Sequence, residues 1–292
     1  SRADELGIEF EVMDANLDVN KQTQQAEDFM TKGVDVLIMT PVNEEGVVPI
    51  LKKAKAEGMP VVLEGNPAKG MTTLFAICDY DAGYKAGDEV GRILVSRGAK
   101  EARVMDVGLP LLSATVLRSL GFMEAIATHV SATKVHELDG SGMIDSSVEV
   151  ASAALAKDSN INVIYGINDG SALGGLQAWR ASGLSEKDLI VAGTGAEGLA
   201  FLNELTKEGT PYLVEAAMFP EGVGYTGMNL AVDLFNGVDV PKHKVTPTLA
   251  LTVNNYASYY DFDKAAQKRA INFANVAGIP TEDKCTKYAE DL

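Results

Sequence analysis

An α/β fold of two similar Rossmann-like lobes, each a parallel sheet flanked by helices, is predicted by three features of this chain. Short apolar runs rich in β-branched residues alternate with segments of helical periodicity along most of its length, as they do where crossover helices cover a parallel sheet. The βα units number about ten, more than one sheet holds comfortably in a domain of ordinary size. No low-complexity linker interrupts the 292 residues, which suits lobes joined by several crossing segments, as in hinge proteins.

The elements follow in order. Ile8–Met13 is apolar enough for a strand, and Gln22–Met30 is polar and helix-friendly. Val34–Thr40 (VDVLIMT) reads as a buried strand stopped by Pro41, Glu44–Ala56 as a helix ended by Gly58, and Met59–Leu63 as a strand leading into the turn Glu64-Gly65-Asn66-Pro67. Thr73–Cys78 is strand again, then Ala82–Val95 helix. The plan repeats with strand Ala102–Val107, helix Ser113–Thr128, strand Thr133–Leu138 and helix Asp145–Ala156. After strand Asn162–Ile167 come a helix from Gly170, strand Leu189–Ala192, a helix from Glu197, strand Tyr212–Met218 and helix Gly222–Phe235. Leu249–Val253 is a last strand, Asp263–Phe273 looks helical, and the tail to Leu292 is polar without a clear assignment.

Composition narrows the function. A formal charge of -16 and a pI near 4.6 speak against a nucleic-acid partner, which needs a cationic face. No apolar run approaches the roughly 18 to 20 residues that span a bilayer, and Ser1–Phe10 has no signal-peptide core, so the chain reads as a mature or trimmed soluble form. Cys78 and Cys285 match no zinc or redox spacing; one bridge and two free thiols are both open.

The stretch NVIYGINDGSALGG (Asn162–Gly175) concentrates the chemical signals. Asn168 and Asp169 lie where a strand hands over to a helix whose apolar residues Leu173, Leu176 and Trp179 recur at helical spacing. Either residue can cap that helix, and at the carboxyl end of a parallel strand either can reach a small molecule. GTGAEG (Gly193–Gly198) is formally a GxGxxG between strand and helix, with Glu215 about 20 residues on, which makes a dinucleotide-binding enzyme the strongest enzymatic alternative. Against it, the motif falls late in the chain and Glu215 lies inside a strand. His129, His136 and His243 are scattered and form no metal or catalytic signature; the residues give no catalytic group and no metal site.

Four matches occur in order: KGVDVLIMTPVNEEGVVPILKKAKAEGMPVV at Lys32–Val62, CDYDAGYKAGDEV at Cys78–Val90, RSLGFMEAI at Arg118–Ile126 and NVIYGINDGSALGGLQAW at Asn162–Trp179. Together, over Ala3–Val253, the chain resembles the periplasmic sugar-binding proteins of the ribose-binding type, whose fold recurs in the effector domains of lactose-repressor-like regulators. The resemblance implies two lobes joined by three crossovers, near Cys78-Asp79, Phe219-Pro220 and Leu251–Val253. Residues 1–78 with 219–251 then form the first lobe, and 79–218 with 252–292 the second. It implies a sugar or polyol bound between the lobes, hinge closure, delivery to the membrane permease of an ABC transporter, no cofactor, a monomer, and a periplasmic or exported-lipoprotein location. A sensing module for a chemoreceptor, kinase or regulator is the alternative.

Residue by residue, Arg118 stands where the family's Arg precedes its Gly-Phe pair, and Asn168 where the family's Asn meets the ligand. Asp79 lies at the first crossover, and Glu64 stands in place of the usual Asp, followed by Gly65 where an Arg is expected. Gly195 replaces a carboxylate that Glu197 is placed to substitute, and Met218 replaces a polar group. A guanidinium fork donates to neighbouring hydroxyls while Asn and carboxylates accept the polyol's protons; Tyr80 and Phe219 offer aromatic faces to C–H groups. These departures widen the expected ligand from ribose to a smaller polyol, a deoxy sugar or another hydroxylated molecule. Family members open with a strand and an Asn- and Phe-containing turn, whereas SRADELG matches only the end of the following helix. The expected first strand is thus missing from the sequence, and the slot would be filled by that segment, another chain or the tail after Asp263, the first being favoured.

Overall fold

Local sequence and tertiary packing set the elements of a computed structural model that describes residues 2–281. In chain order these are α1 (Arg2–Leu6), α2 (Val19–Lys32), β1 (Leu37–Met39), α3 (Val48–Ala56), β2 (Val61–Glu64), β3 (Thr73–Ile77), α4 (Asp79–Ser96), β4 (Glu101–Gly108), α5 (Ser113–Ala127), β5 (Ser131–Asp139) and α6 (Ile144–Lys157). There follow β6 (Val163–Gly166), α7 (Asp169–Ala181), β7 (Ile190–Gly195), α8 (Ala200–Leu205), β8 (Tyr212–Ala217), α9 (Pro220–Phe235), β9 (His243–Thr246), β10 (Leu249–Leu251), β11 (Tyr260–Asp263), β12 (Lys268–Ile271) and α10 (Phe273–Ala277). Caps fix several ends. Asp18 accepts from the N–H groups of Asn20 and Lys21 to start α2, and Gly33 in the left-handed conformation ends it.

The chain divides into two units, with residues 2–77 and Glu221–Thr246 in the first, and Cys78–Pro220 and Pro247–Pro280 in the second. In the first unit four parallel strands run in the order β1-β2-β3-β9. Alternate residues serve opposite faces: Leu63, Leu74 and Ala76 pack with Ile50, Leu51 and Ala54 of α3 and Met30 of α2, while Val62 and Phe75 meet Leu230 and Ala231 of α9.

The second unit has a six-stranded sheet in the order β10-β8-β7-β6-β4-β5. All its pairings are parallel except the antiparallel edge strand β10 on β8. One large core joins Ile164, Val191, Leu176, Trp179 and Phe201 to Tyr260 and Val276 from the last elements.

Four expectations change. Ile8–Met13 has no regular structure and pairs with no strand among the described residues, and Phe10 and Val12 are exposed; a strand needs a neighbour to satisfy its backbone groups. Residues 247–251, assigned from sequence to the first lobe, belong to the second. There β10 pairs with β8, and the Thr248 hydroxyl donates to buried Asp81 of α4 at 2.6 Å. The third passage between units is consequently at Thr246–Pro247, not at Leu251–Val253. Asp263–Phe273, expected as helix, is mostly the β11–β12 hairpin: burial of Tyr260 in the core overrides the helical preference of Lys264-Ala265-Ala266, which form the turn instead. Cys285 and the remaining tail lie outside the described residues.

Helices α4 and α5 lie backbone against backbone. A Cβ on Gly83 would stand 1.9 Å from the Arg118 carbonyl oxygen, and one on Gly121 would stand 2.2 Å from that of Tyr80. Only hydrogen fits between backbones this close, so the two glycines set the height at which α5 carries Arg118 past the start of α4. Gly83→Val is expected to destabilise by at least the 1–3 kcal/mol typical of overpacking, read as a lowered thermal midpoint. An unchanged midpoint would contradict this packing.

Candidate ligand-binding face of the second unit

Asp79 occupies the first turn of α4, where unpaired N–H groups and the helix dipole favour a carboxylate. Arg118 reaches it from α5: Nε donates to Asp79 Oδ1 at 2.7 Å and Nη1 to the Ile167 carbonyl at 2.9 Å. The side chains are only 13% and 10% exposed. Burial works against the charge of Arg118, but the adjoining Asp79 carboxylate outweighs it and holds the guanidinium above its ordinary pKa. No described residue accepts from Nη2, which leaves the outer edge of the fork open for a further acceptor.

Ile167 and Asn168 follow β6. The Asn168 side-chain oxygen caps α7 by accepting from the Ser171 N–H at 2.8 Å, and its amide donates to the Gly142 carbonyl at 2.9 Å. Asn168 therefore serves the helix cap, as one of the two sequence readings expected, and its amide is held in a fixed orientation.

Asp169 organises the turn after β7. Its carboxylate accepts from the N–H groups of Ala196 and Glu197, both at 3.0 Å. Buried Glu215 of β8 hydrogen-bonds Asp169, accepts from the Ala196 N–H at 2.8 Å and accepts the Tyr212 hydroxyl at 2.5 Å. Burial, and then the charge of Asp169, push the Glu215 carboxyl well above the usual range, and burial raises Asp169 as well, so the pair holds on to a proton that two separate carboxylates would lose. The turn itself is unusual, with Gly195 at φ +126° and Ala196 at +63°. Glu197 projects from it, its carboxyl raised by desolvation and by Asp169, and lowered by Arg118 and Arg269.

This geometry decides against the dinucleotide motif in GTGAEG. The N–H groups of Ala196 and Glu197, which would meet a pyrophosphate, are taken by the protein's own carboxylate, and Glu215 is fully buried.

The structure thus brings Asp79, Arg118, Asn168 and Glu197 into one region of the second unit. Glu64 lies in the first, where its Oε2 accepts from the Thr40 hydroxyl at 2.7 Å. The Tyr80 hydroxyl donates to Glu124 on α5. Phe219, expected as a stacking surface for ligand, is instead 1% exposed and packed in the core on Tyr259 and Tyr260, with centroids 5.8 and 5.9 Å away. Its left-handed backbone, φ +49°, turns the ring inward. Sequence reasoning offered Asp169 as a cap or a ligand contact and did not foresee its bonds to the turn after β7, and it missed Arg269 altogether.

A family model described as the periplasmic binding protein domain matches residues 1–239. The chain belongs to the periplasmic binding protein family. It is 30% identical over 245 residues to a ribose import binding protein of Haemophilus influenzae, covering 82% of this chain and 79% of the relative. A solved ABC transporter solute-binding protein from Bacillus halodurans with bound myo-inositol is 26% identical, with a TM-score of 0.77 and coverage of 88% of each chain. The fold is shared with a Mycobacterium smegmatis solute-binding protein with bound glycerol, at a TM-score of 0.80 and 23% identity, covering 90% and 89%.

The shared proton gives a pH test. Glu215 ionises near 4.5 when unfolded and well above that when folded, so the folded state binds the extra proton between these values. Stability is then full below the unfolded value and is lost as pH rises through the folded one. Thermal midpoints measured from pH 4.5 to 8 are expected to fall more steeply in the wild type than in Glu215→Gln, whose amide keeps a neutral donor to Asp169. Parallel curves would contradict the shared proton.

Proposed function

We propose that this protein captures a small neutral hydroxylated molecule, a sugar or polyol, and delivers it to the membrane permease of an ABC importer. The observation that carries the reading is the buried Arg118, charge-paired with Asp79 and with no acceptor for its Nη2 among the described residues. A neutralised guanidinium offers directional donors without the net charge that would demand an anion. Asn168, whose amide is held by Ser171 and Gly142, and the Glu197 carboxylate add acceptors for a polyol's own protons.

Relatives that bind ribose and myo-inositol by their names support a ligand of this class. The substitutions at Glu64, Gly65 and Gly195 favour a hydroxyl pattern different from that of ribose. A binding role also fits the closed turn at Ala196 and Glu197, whose N–H groups are satisfied internally. Function in the periplasm as a monomer completes the proposal.

Thermal-shift measurements with ribose, myo-inositol and glycerol, and with NAD as control, test the reading. A shift with at least one polyol is expected. A shift with NAD and none with any polyol would overturn it. Once a ligand is found, Arg118→Ala should weaken its binding in calorimetry by roughly 1.5–3 kcal/mol, about 10- to 150-fold, the usual worth of a charged hydrogen bond. Unchanged affinity would remove Arg118 from the site.

A further inference from the structure

The hairpin β11–β12 lies beyond residue 239, where the family match ends, and it touches the turn that presents Glu197. Arg269 of β12 donates through Nη1 to the carbonyl oxygens of Ala196 at 2.8 Å and Gly198 at 2.9 Å. Its guanidinium lies 4.8 Å from the centroid of buried Tyr260 and 5.7 Å from that of Phe201, within cation–π range of both rings. The hairpin is anchored independently of these contacts. Gln267 and Asn203 of α8 exchange amide hydrogen bonds at 2.8 and 3.0 Å, and Tyr260 is 1% exposed.

The turn is therefore gripped from two sides. Asp169 takes the N–H groups of Ala196 and Glu197, whereas Arg269 takes the carbonyls of Ala196 and Gly198. With these backbone groups bonded, Ala196 is held in a left-handed conformation that costs a non-glycine residue free energy. Glu197 is the one residue of the segment whose side chain carries charge.

We infer that Arg269 is a positioning residue for ligand recognition: it fixes Glu197 and supplies a positive charge behind it, so that the C-terminal hairpin forms part of the binding apparatus. This rests on the reading that the second unit binds a polyol through Arg118 and Glu197. Charged groups acting on Glu197 are Asp169 from α7, Arg118 from α5 and Arg269 from β12, with Glu215 sharing the Ala196 N–H with Asp169. Asp169 disfavours ionisation of Glu197 and the two arginines favour it. Removing Arg269 therefore raises the pH at which Glu197 takes up a proton and ceases to accept from ligand hydroxyls.

The test compares wild type, Arg269→Gln, Arg269→Lys and Glu197→Gln, using myo-inositol or whichever screened polyol gives the largest thermal shift. Carboxyl NMR titration of ligand-free protein is expected to show the Glu197 midpoint moved upward in Arg269→Gln and largely restored in Arg269→Lys. Calorimetry from pH 5 to 8 is expected to show roughly tenfold weaker binding in Arg269→Gln, about the 1.4 kcal/mol that tenfold represents. The acid limb of its affinity profile should move to higher pH. In a Glu197→Gln background the Arg269→Gln change should have little further effect on affinity. An unmoved Glu197 midpoint, or equal affinity in wild type and Arg269→Gln, overturns the role of Arg269 alone. Wild-type protein that binds no polyol, with the midpoint moved as expected, instead overturns the functional reading and leaves the electrostatic coupling standing.

Discussion

The ion pair between Asp79 and Arg118 sits where water scarcely reaches, and that location sets terms for everything around it. Removing a guanidinium and a carboxylate from water costs several kcal/mol for each ion unless geometry and further hydrogen bonds compensate. Compensation here comes from a short Nε contact, from the Ile167 carbonyl and from the start of α4, each of which must be in register. The register is supplied by helix backbones in contact at Gly83 and Gly121. Two residues with no side-chain chemistry of their own thereby determine where Arg118 stands.

A second constraint is the supply of backbone donors and acceptors after β6 and β7. Loops at the carboxyl ends of parallel strands carry free N–H groups that commonly bind phosphates. In this protein Asp169, with buried Glu215 beside it, occupies those groups from within. The region is left with one guanidinium edge, a fixed amide and a carboxylate, the set on which the proposed selectivity for hydroxyls rests. Selectivity of this kind lies as much in the donors that are closed off as in those that remain open.

Much of this was legible in the sequence, for identifiable reasons. Strands β3 and β6 are nearly continuous apolar runs buried on both faces, so period and composition agree; Asn168 lies one residue before α7, where an Asn is expected as a cap. The hairpin was not legible, because Lys264-Ala265-Ala266 has helical preference and only the burial of Tyr260 in a distant core makes strands of its flanks. β9, running into Pro247, gave too short a pattern to separate from a loop. Phe219 was misplaced because a sequence shows an aromatic residue but not the positive φ that turns it inward. Arg269 carries no motif that marks it: the carbonyls to which its Nη1 donates lie more than seventy residues away.

The most direct test of the account is a crystal structure of the protein with the polyol that gives the strongest thermal shift. The account predicts ligand oxygens within about 3 Å of the outer N–H groups of Arg118, with Asp79 still bonded to Nε and the Asp169 contacts to Ala196 and Glu197 intact. A ligand bound elsewhere, or an Arg118 whose fork is turned away from it, would contradict the account.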